Sequence, residues 1–264
     1  MNPSDLGLAI AIGLVSGFLS GQFGIGGGLI TTPAIRLVLG QPAMIAVGTP
    51  LLVILPTAIA GALAYHRRGL VDTRSGILVG LSGALASVAG AFATRLVGGS
   101  TVMIVTAAVI CYMAVDMLLL ALRGSAARES ETTSAISLAP TRGLTLRFVV
   151  LGVITGLYSG FLGLGGGFIV VPALVRWFGF DIKKAIGTSL VVVAVLSIPG
   201  SITHIALGNV DLRLAGLLAL GVIPGALLGA KVTLASGERT VKIAFSALLL
   251  VVGVLLALSE SGLL

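Results

Sequence analysis

The chain has 264 residues; 57% are hydrophobic types, only 9% are charged, and the mean hydropathy is +1.18. A soluble domain is about 25% charged, so this chain cannot cover a water-facing surface and reads as an all-α polytopic membrane protein. The net charge of +7 lies between apolar segments, where it acts as a topology determinant, and no nucleic-acid partner is expected.

Eight apolar segments follow one another: 6–39, 43–65, 75–97, 101–122, 147–178, 185–206, 213–234 and 241–258. No basic n-region precedes the first, so it is read as part of the mature fold rather than a signal peptide. That segment carries "FGIGGGLITTP" (Phe23 to Pro33), with Gln22 beside it. Three adjacent glycines point in three directions around a helix and make no packing face. They weaken helix and allow backbone conformations that other residues avoid. The second segment carries "AVGTPLL" (Ala46 to Leu52) and ends at His66, before Arg67 and Arg68. Gly76, Gly80 and Gly83 in the third read as close helix packing. The fourth holds Cys111, a small packed hydrophobe, and Asp116, the one carboxylate well inside a span.

Residues 123–146 are polar and rich in Ser and Thr, and divide the chain into a first repeat (1–122) and a second (147–264). The fifth segment then repeats the glycine triplet in "LGLGGGFIVVP" (Leu162 to Pro172), and the sixth holds "AIGTSLV" (Ala185 to Val191) and His204. Gly221, Gly225 and Gly229 in the seventh again read as helix packing.

The halves match in one ungapped register with an offset of 139. Gly28 falls on Gly167, Gly24 on Gly163, Ser20 on Ser159, Pro33 on Pro172 and Thr49 on Thr188. Asp72 falls on Asp211 and Arg74 on Arg213. Shared composition would align some glycines, but not Pro, Thr, Asp and Arg together, so an internal duplication is expected. If every segment crosses once, the sixteen Lys and Arg divide evenly between the two faces, against the usual cytoplasmic excess. If 6–39 and 147–178 each enter and leave on one side, the division becomes thirteen to three. Only Arg36, Arg95 and Arg213 then lie on the sparse face. Each half thereby makes an odd number of net crossings, which predicts inverted-topology repeats with eight to ten helices, a cytoplasmic linker and both termini outside the cytoplasm.

Unwound backbone at membrane depth is tolerated only when buried in protein or lining a cavity. Broken helices at matching positions of two inverted halves point to a transporter binding site. The half-helix after each break offers free N–H groups and a positive end, which suit an anion without any cationic side chain. Candidate substrate-binding residues are therefore Gln22, Gly24, Gly26, Gly27, Gly28 and Thr49 in the first half, and Gly163, Gly165, Gly166, Gly167, Thr188 and Ser189 in the second. The two threonine hydroxyls suit either a substrate oxygen or a backbone cap. Pro50 stands where Ser189 carries a hydroxyl, so the half-sites are unequal. Asp116 and His204 are the candidates for proton coupling. Two histidines and one cysteine form no metal cluster or nucleophile–base pair, so no cofactor and no enzymatic activity are expected.

At "GIGGGLITTPAI", "GLGGGFIVVPALV", "AVGTPLL" and "AIGTSLV" the sequence resembles the sulfite exporter (TauE/SafE-type) family, also called the four-toluene-sulfonate uptake permease family. The resemblance spans nearly the whole chain. It implies secondary transport of small sulfur-containing anions (sulfite, thiosulfate or a sulfonate such as sulfoacetate) across a bacterial inner membrane. Its pattern carries over onto Gly26, Gly27, Gly28 and Pro33, onto Gly165, Gly166, Gly167 and Pro172, and onto the pairs Gly48–Thr49 and Gly187–Thr188. The expected partners are a small anionic substrate and the lipid bilayer, with proton or sodium coupling and a homodimer compatible with the sequence. An anion channel with a backbone-lined filter, or a carboxylate transporter, is the alternative reading.

Overall fold

A computed structural model describes residues 3–93, 99–122, 142–162 and 165–260. Among these the chain is helical throughout, in ten elements. The first half supplies α1 (Pro3–Phe23), α2 (Gly28–Leu37), α3 (Ala43–His66), α4 (Thr73–Ala93) and α5 (Gly99–Leu122). The second half supplies α6 (Arg142–Leu162), α7 (Gly167–Phe178), α8 (Ile182–Ala206), α9 (Leu212–Ala235) and α10 (Glu238–Glu260). Five helices, α1, α3, α6, α8 and α9, contain stretches long and apolar enough to cross a membrane.

Segments 6–39 and 147–178 each become two helices joined at the glycines. Gly27 lies against Ser16 and Ser20, and Gly166 lies against Thr155 and Ser159. Each break therefore turns the chain back along the helix it has just left, and each segment is a hairpin. With 10 residues in α2 and 12 in α7, the returning arms are about 15–18 Å long at 1.5 Å per residue. That is roughly half of a 30 Å hydrocarbon core. The spans after α3 and α8 begin slightly earlier than hydropathy suggests, because aspartate caps them. Asp72 accepts from the N–H of Ser75 at 3.0 Å, and Asp211 accepts from the N–H groups of Arg213 and Leu214 at 2.9 and 3.0 Å.

The tightest packing joins elements from different halves. Gly13, Gly17 and Gly21 of α1 sit against the backbone of Leu218, Val222 and Ala226 in α9. Shifted by 139 residues, Gly152, Gly156 and Gly160 of α6 sit against the backbone of Val79, Gly83 and Ser87 in α4. Both rows ascend together, so α1 runs parallel to α9 and α4 runs parallel to α6. Small residues let these backbones approach, which is the role read for Gly221, Gly225 and Gly229; they meet α1 at Ile10, Leu14 and Phe18. Cys111 is a packed side chain facing Gly253 of α10.

The equivalent helices α3 and α8 also pack together, but antiparallel. Ser201 donates to the Leu51 carbonyl at 2.9 Å near one end of the pair, while Tyr65 packs on Gly187 near the other. The second contact recurs under the offset of 139, with His204, the equivalent of Tyr65, packed on Gly48, the equivalent of Gly187; reciprocal contacts of this kind are those of an isologous two-fold. The equivalent helices α3 and α8 thus run in opposite directions where they pack.

Candidate functional site

Both breaks are built the same way. Gly27 (φ 81°) and Gly166 (φ 69°) precede α2 and α7 in the left-handed region, where glycine carries no Cβ penalty. The Gly27 carbonyl accepts from the N–H groups of Ile30 and Thr31 and from the Thr31 hydroxyl at 2.9 Å. The Gly166 carbonyl accepts from the N–H groups of Ile169 and Val170. The first amides of each half-helix, at Gly28 and Leu29 and at Gly167 and Phe168, donate to no acceptor among the described residues. These are the orphan donors that every helix start presents.

The two breaks meet at the pseudo-two-fold axis. Gly26 and Gly165, equivalent by the offset of 139, both face Ile54 of α3 and Val193 of α8, themselves an equivalent pair. Gly167 abuts the carbonyl of Gly24 and the Cα of Ile25. Ile54 and Val193 are each the twelfth residue of their helix, in lengths of 24 and 25, so the breaks cross the middle of α3 and α8. Ile25 and Phe168 beside them are fully buried. The nearest side chains to the break glycines are Ser, Thr, Val and Ile, so the donors here are backbone dipoles and hydroxyls.

Thr49 and Thr188 are fully buried and have symmetric backbone partners. Thr49 Oγ1 accepts from the Asp211 N–H at 3.1 Å, and Thr188 Oγ1 accepts from the Asp72 N–H at 3.0 Å. Of the two roles open to these hydroxyls in the sequence, the structure displays the backbone one. Ser189 does reach the first break: its hydroxyl lies 3.0 Å from the Gly24 carbonyl and 2.8 Å from that of Ile186. Gly163, the equivalent of Gly24, lies outside the described residues, as do 123–141 of the linker expected at 123–146, whose last residues begin α6.

Gln22 is half-buried in the last turn of α1, and its backbone carbonyl accepts from Thr233 of α9 at 2.9 Å. His204 stands where the first half has Tyr65, and here the symmetry fails. The Tyr65 hydroxyl donates to the Gly21 carbonyl at 2.9 Å, whereas His204 Nδ1 is buried beside Gly48 with no partner among the described residues. Asp116 pairs with Arg176 of α7 at 3.5 Å, the two side chains being 29% and 58% exposed. An ion pair this open contributes little to stability. Neither it nor His204 touches the breaks.

Four hydroxyl residues border the breaks that motif reasoning passed over: Ser16 and Ser20 on α1, Thr155 and Ser159 on α6. The signal was present as a hydroxyl pair spaced i, i+4 ahead of each glycine triplet, in register between the halves. Two clefts of about 500 and 450 Å³ lie elsewhere, one at Arg147 and Trp177 and the other at Asp72, Arg74 and Thr145.

Broken helices at matching positions of the two halves of a polytopic membrane protein are a feature of membrane transporters with discontinuous helices. The family model for sulfite exporter TauE/SafE matches residues 9–256, and the chain belongs to that family. It is 27% identical to the probable membrane transporter protein YunE of Bacillus subtilis, over 88% of each chain. It is 25% identical to the probable membrane transporter protein MJ0441 of Methanocaldococcus jannaschii, over 96% of each. A probable membrane transporter protein of Haemophilus influenzae is 30% identical over 76% of this chain and 74% of its own. No solved structure matches the chain.

Proposed function

We propose that this protein is a secondary transporter of small sulfur-containing anions, namely sulfite, thiosulfate or an organosulfonate such as sulfoacetate. The observation that carries the reading is the convergence of two half-helix N-termini on Ile54 and Val193 at the pseudo-two-fold axis. Their first amides, without acceptors among the described residues, start at mid-span, where an anion would otherwise lack hydration. The family name agrees in the class of substrate. With Gly167 closed on Gly24, an anion reaches the amides only when the breaks part. Movement of one repeat against the other supplies that step as alternating access.

Counterflow separates this carrier from a pore. Proteoliposomes loaded with unlabelled sulfite should take up labelled sulfite transiently and saturably; linear, uncoupled flux would identify a channel with a backbone-lined filter instead.

The charge division supports one orientation for the proposal. With both hairpins returning to their side of entry, thirteen of sixteen Lys and Arg lie on one face, which the positive-inside rule assigns to the cytoplasm of a bacterial inner membrane. Both termini are then outside. A reporter active only outside the cytoplasm should be active when fused after Leu264, and activity of a cytoplasm-only reporter there would reverse the assignment.

A further inference from the structure

Two fully buried hydroxyls on the helices beside the breaks have no hydrogen-bond partner among the described residues: Ser20 Oγ, whose Cβ lies against Gly27, and Thr155 Oγ1, whose Cγ2 methyl lies against Gly166. Ser16, one turn before Ser20, is bonded to the Gly13 carbonyl at 3.1 Å, and Ser189 to the Gly24 and Ile186 carbonyls; Thr32 Oγ1, further along α2, is the other hydroxyl without a partner among the described residues. Leaving a buried hydroxyl unpaired costs folding free energy, and here the cost falls once in each half, beside the same structural feature. Both belong to the helix that the returning arm folds back upon, so each hairpin brings a hydroxyl to the side of its own half-helix start.

We infer that Ser20 and Thr155 are side-chain ligands of a singly charged oxyanion, acting with the first amides of α2 and α7. The inference rests on the transport reading above and narrows its substrate class. All the donors at the breaks are neutral. Born desolvation energy rises with the square of the charge, so burying a dianion costs about four times as much as burying a monoanion. Backbone dipoles and two hydroxyls suit a sulfonate or hydrogensulfite headgroup, whose several oxygens accept from different directions. A dianion such as sulfate lacks the cation that its second charge requires.

Purified protein titrated with methanesulfonate should show saturable stabilisation against heat, and sodium sulfate at matched ionic strength should not. Ser20→Ala and Thr155→Val should each weaken methanesulfonate binding about ten- to hundredfold, while the ligand-free protein melts no lower than the parent, because an unpaired polar group has been removed. Thr155→Ser should restore binding. Unchanged methanesulfonate affinity in both variants would overturn the ligand assignment; if Gly27→Leu still abolished binding, the transport reading would survive it. Equal stabilisation by sulfate would overturn the charge selection. A parent protein indifferent to methanesulfonate, sulfite and thiosulfate would remove both readings.

Discussion

Replacing Gly27 or Gly166 by leucine should abolish anion binding and transport while leaving a folded protein. A left-handed conformation costs an ordinary residue about 1–2 kcal/mol, a modest part of a typical stability of about 5–15 kcal/mol. The functional effect is far larger. At Gly166 the new Cβ falls 2.6 Å from Thr155 Cγ2, and at Gly27 it falls 3.6 Å from Ser20 Cβ, so the leucine side chain enters the crotch of each hairpin. It fills the space beside the half-helix start and turns the first amides. Thermal stabilisation by sulfite or methanesulfonate should vanish, and uptake should fall below detection. Normal uptake by both variants would remove the site assignment.

The second large effect is on assembly. Gly21→Leu or Gly160→Leu should prevent recovery of monodisperse folded protein. In each case the Cβ collides with backbone, that of Ala226 in α9 or of Ser87 in α4. Overpacking typically costs about 1–3 kcal/mol when side chains can shift; a helix backbone cannot shift alone, so the two helices must separate. Because the obstruction is backbone, adding Ala226→Gly should not rescue Gly21→Leu. Gly7 and Gly216 have nothing within 4 Å of an added Cβ, and alanine at either should be neutral or stabilising by up to about 1 kcal/mol. Size-exclusion profiles and melting temperatures in detergent distinguish these outcomes; a wild-type profile for Gly21→Leu would refute the parallel α1–α9 contact.

Much of this architecture is legible in the sequence, for identifiable reasons. A glycine triplet cannot continue a helix through 6–39, and the charge division demands that the segment return; the hairpins follow. The register that pairs Gly28 with Gly167 also pairs Thr49 with Thr188 and Asp72 with Asp211, and these four residues form the reciprocal bonds between the halves. The same register could not say that threonine would face a backbone amide, since a hydroxyl suits either partner. Nor could it say that α1 lies on α9. Glycines spaced by four on α1, α4, α6 and α9 advertise close packing but carry no label for the partner. The hydroxyl pairs Ser16 and Ser20, and Thr155 and Ser159, are legible in register, but hydroxyls in apolar helices usually bond their own backbone, and only the fold shows that Ser20 and Thr155 have no such partner among the described residues. The divergence of Tyr65 from His204 is visible as a letter change, yet its meaning depends on the Gly21 carbonyl that only the tyrosine reaches.

The exchange of partners between halves has a consequence for how the molecule is made. As synthesis proceeds, α1 waits for α9 and α4 waits for α6, so the first half leaves the ribosome with its glycine faces uncovered. Reciprocity supplies a substitute: a second copy of the same half, inserted the other way up, would offer α4 to α1 and α3 to α3. A polypeptide of half this length with dual orientation therefore contains nearly every contact of the scaffold. What it lacks are the departures from symmetry, the unpaired His204 and the one-sided Asp116–Arg176 bridge.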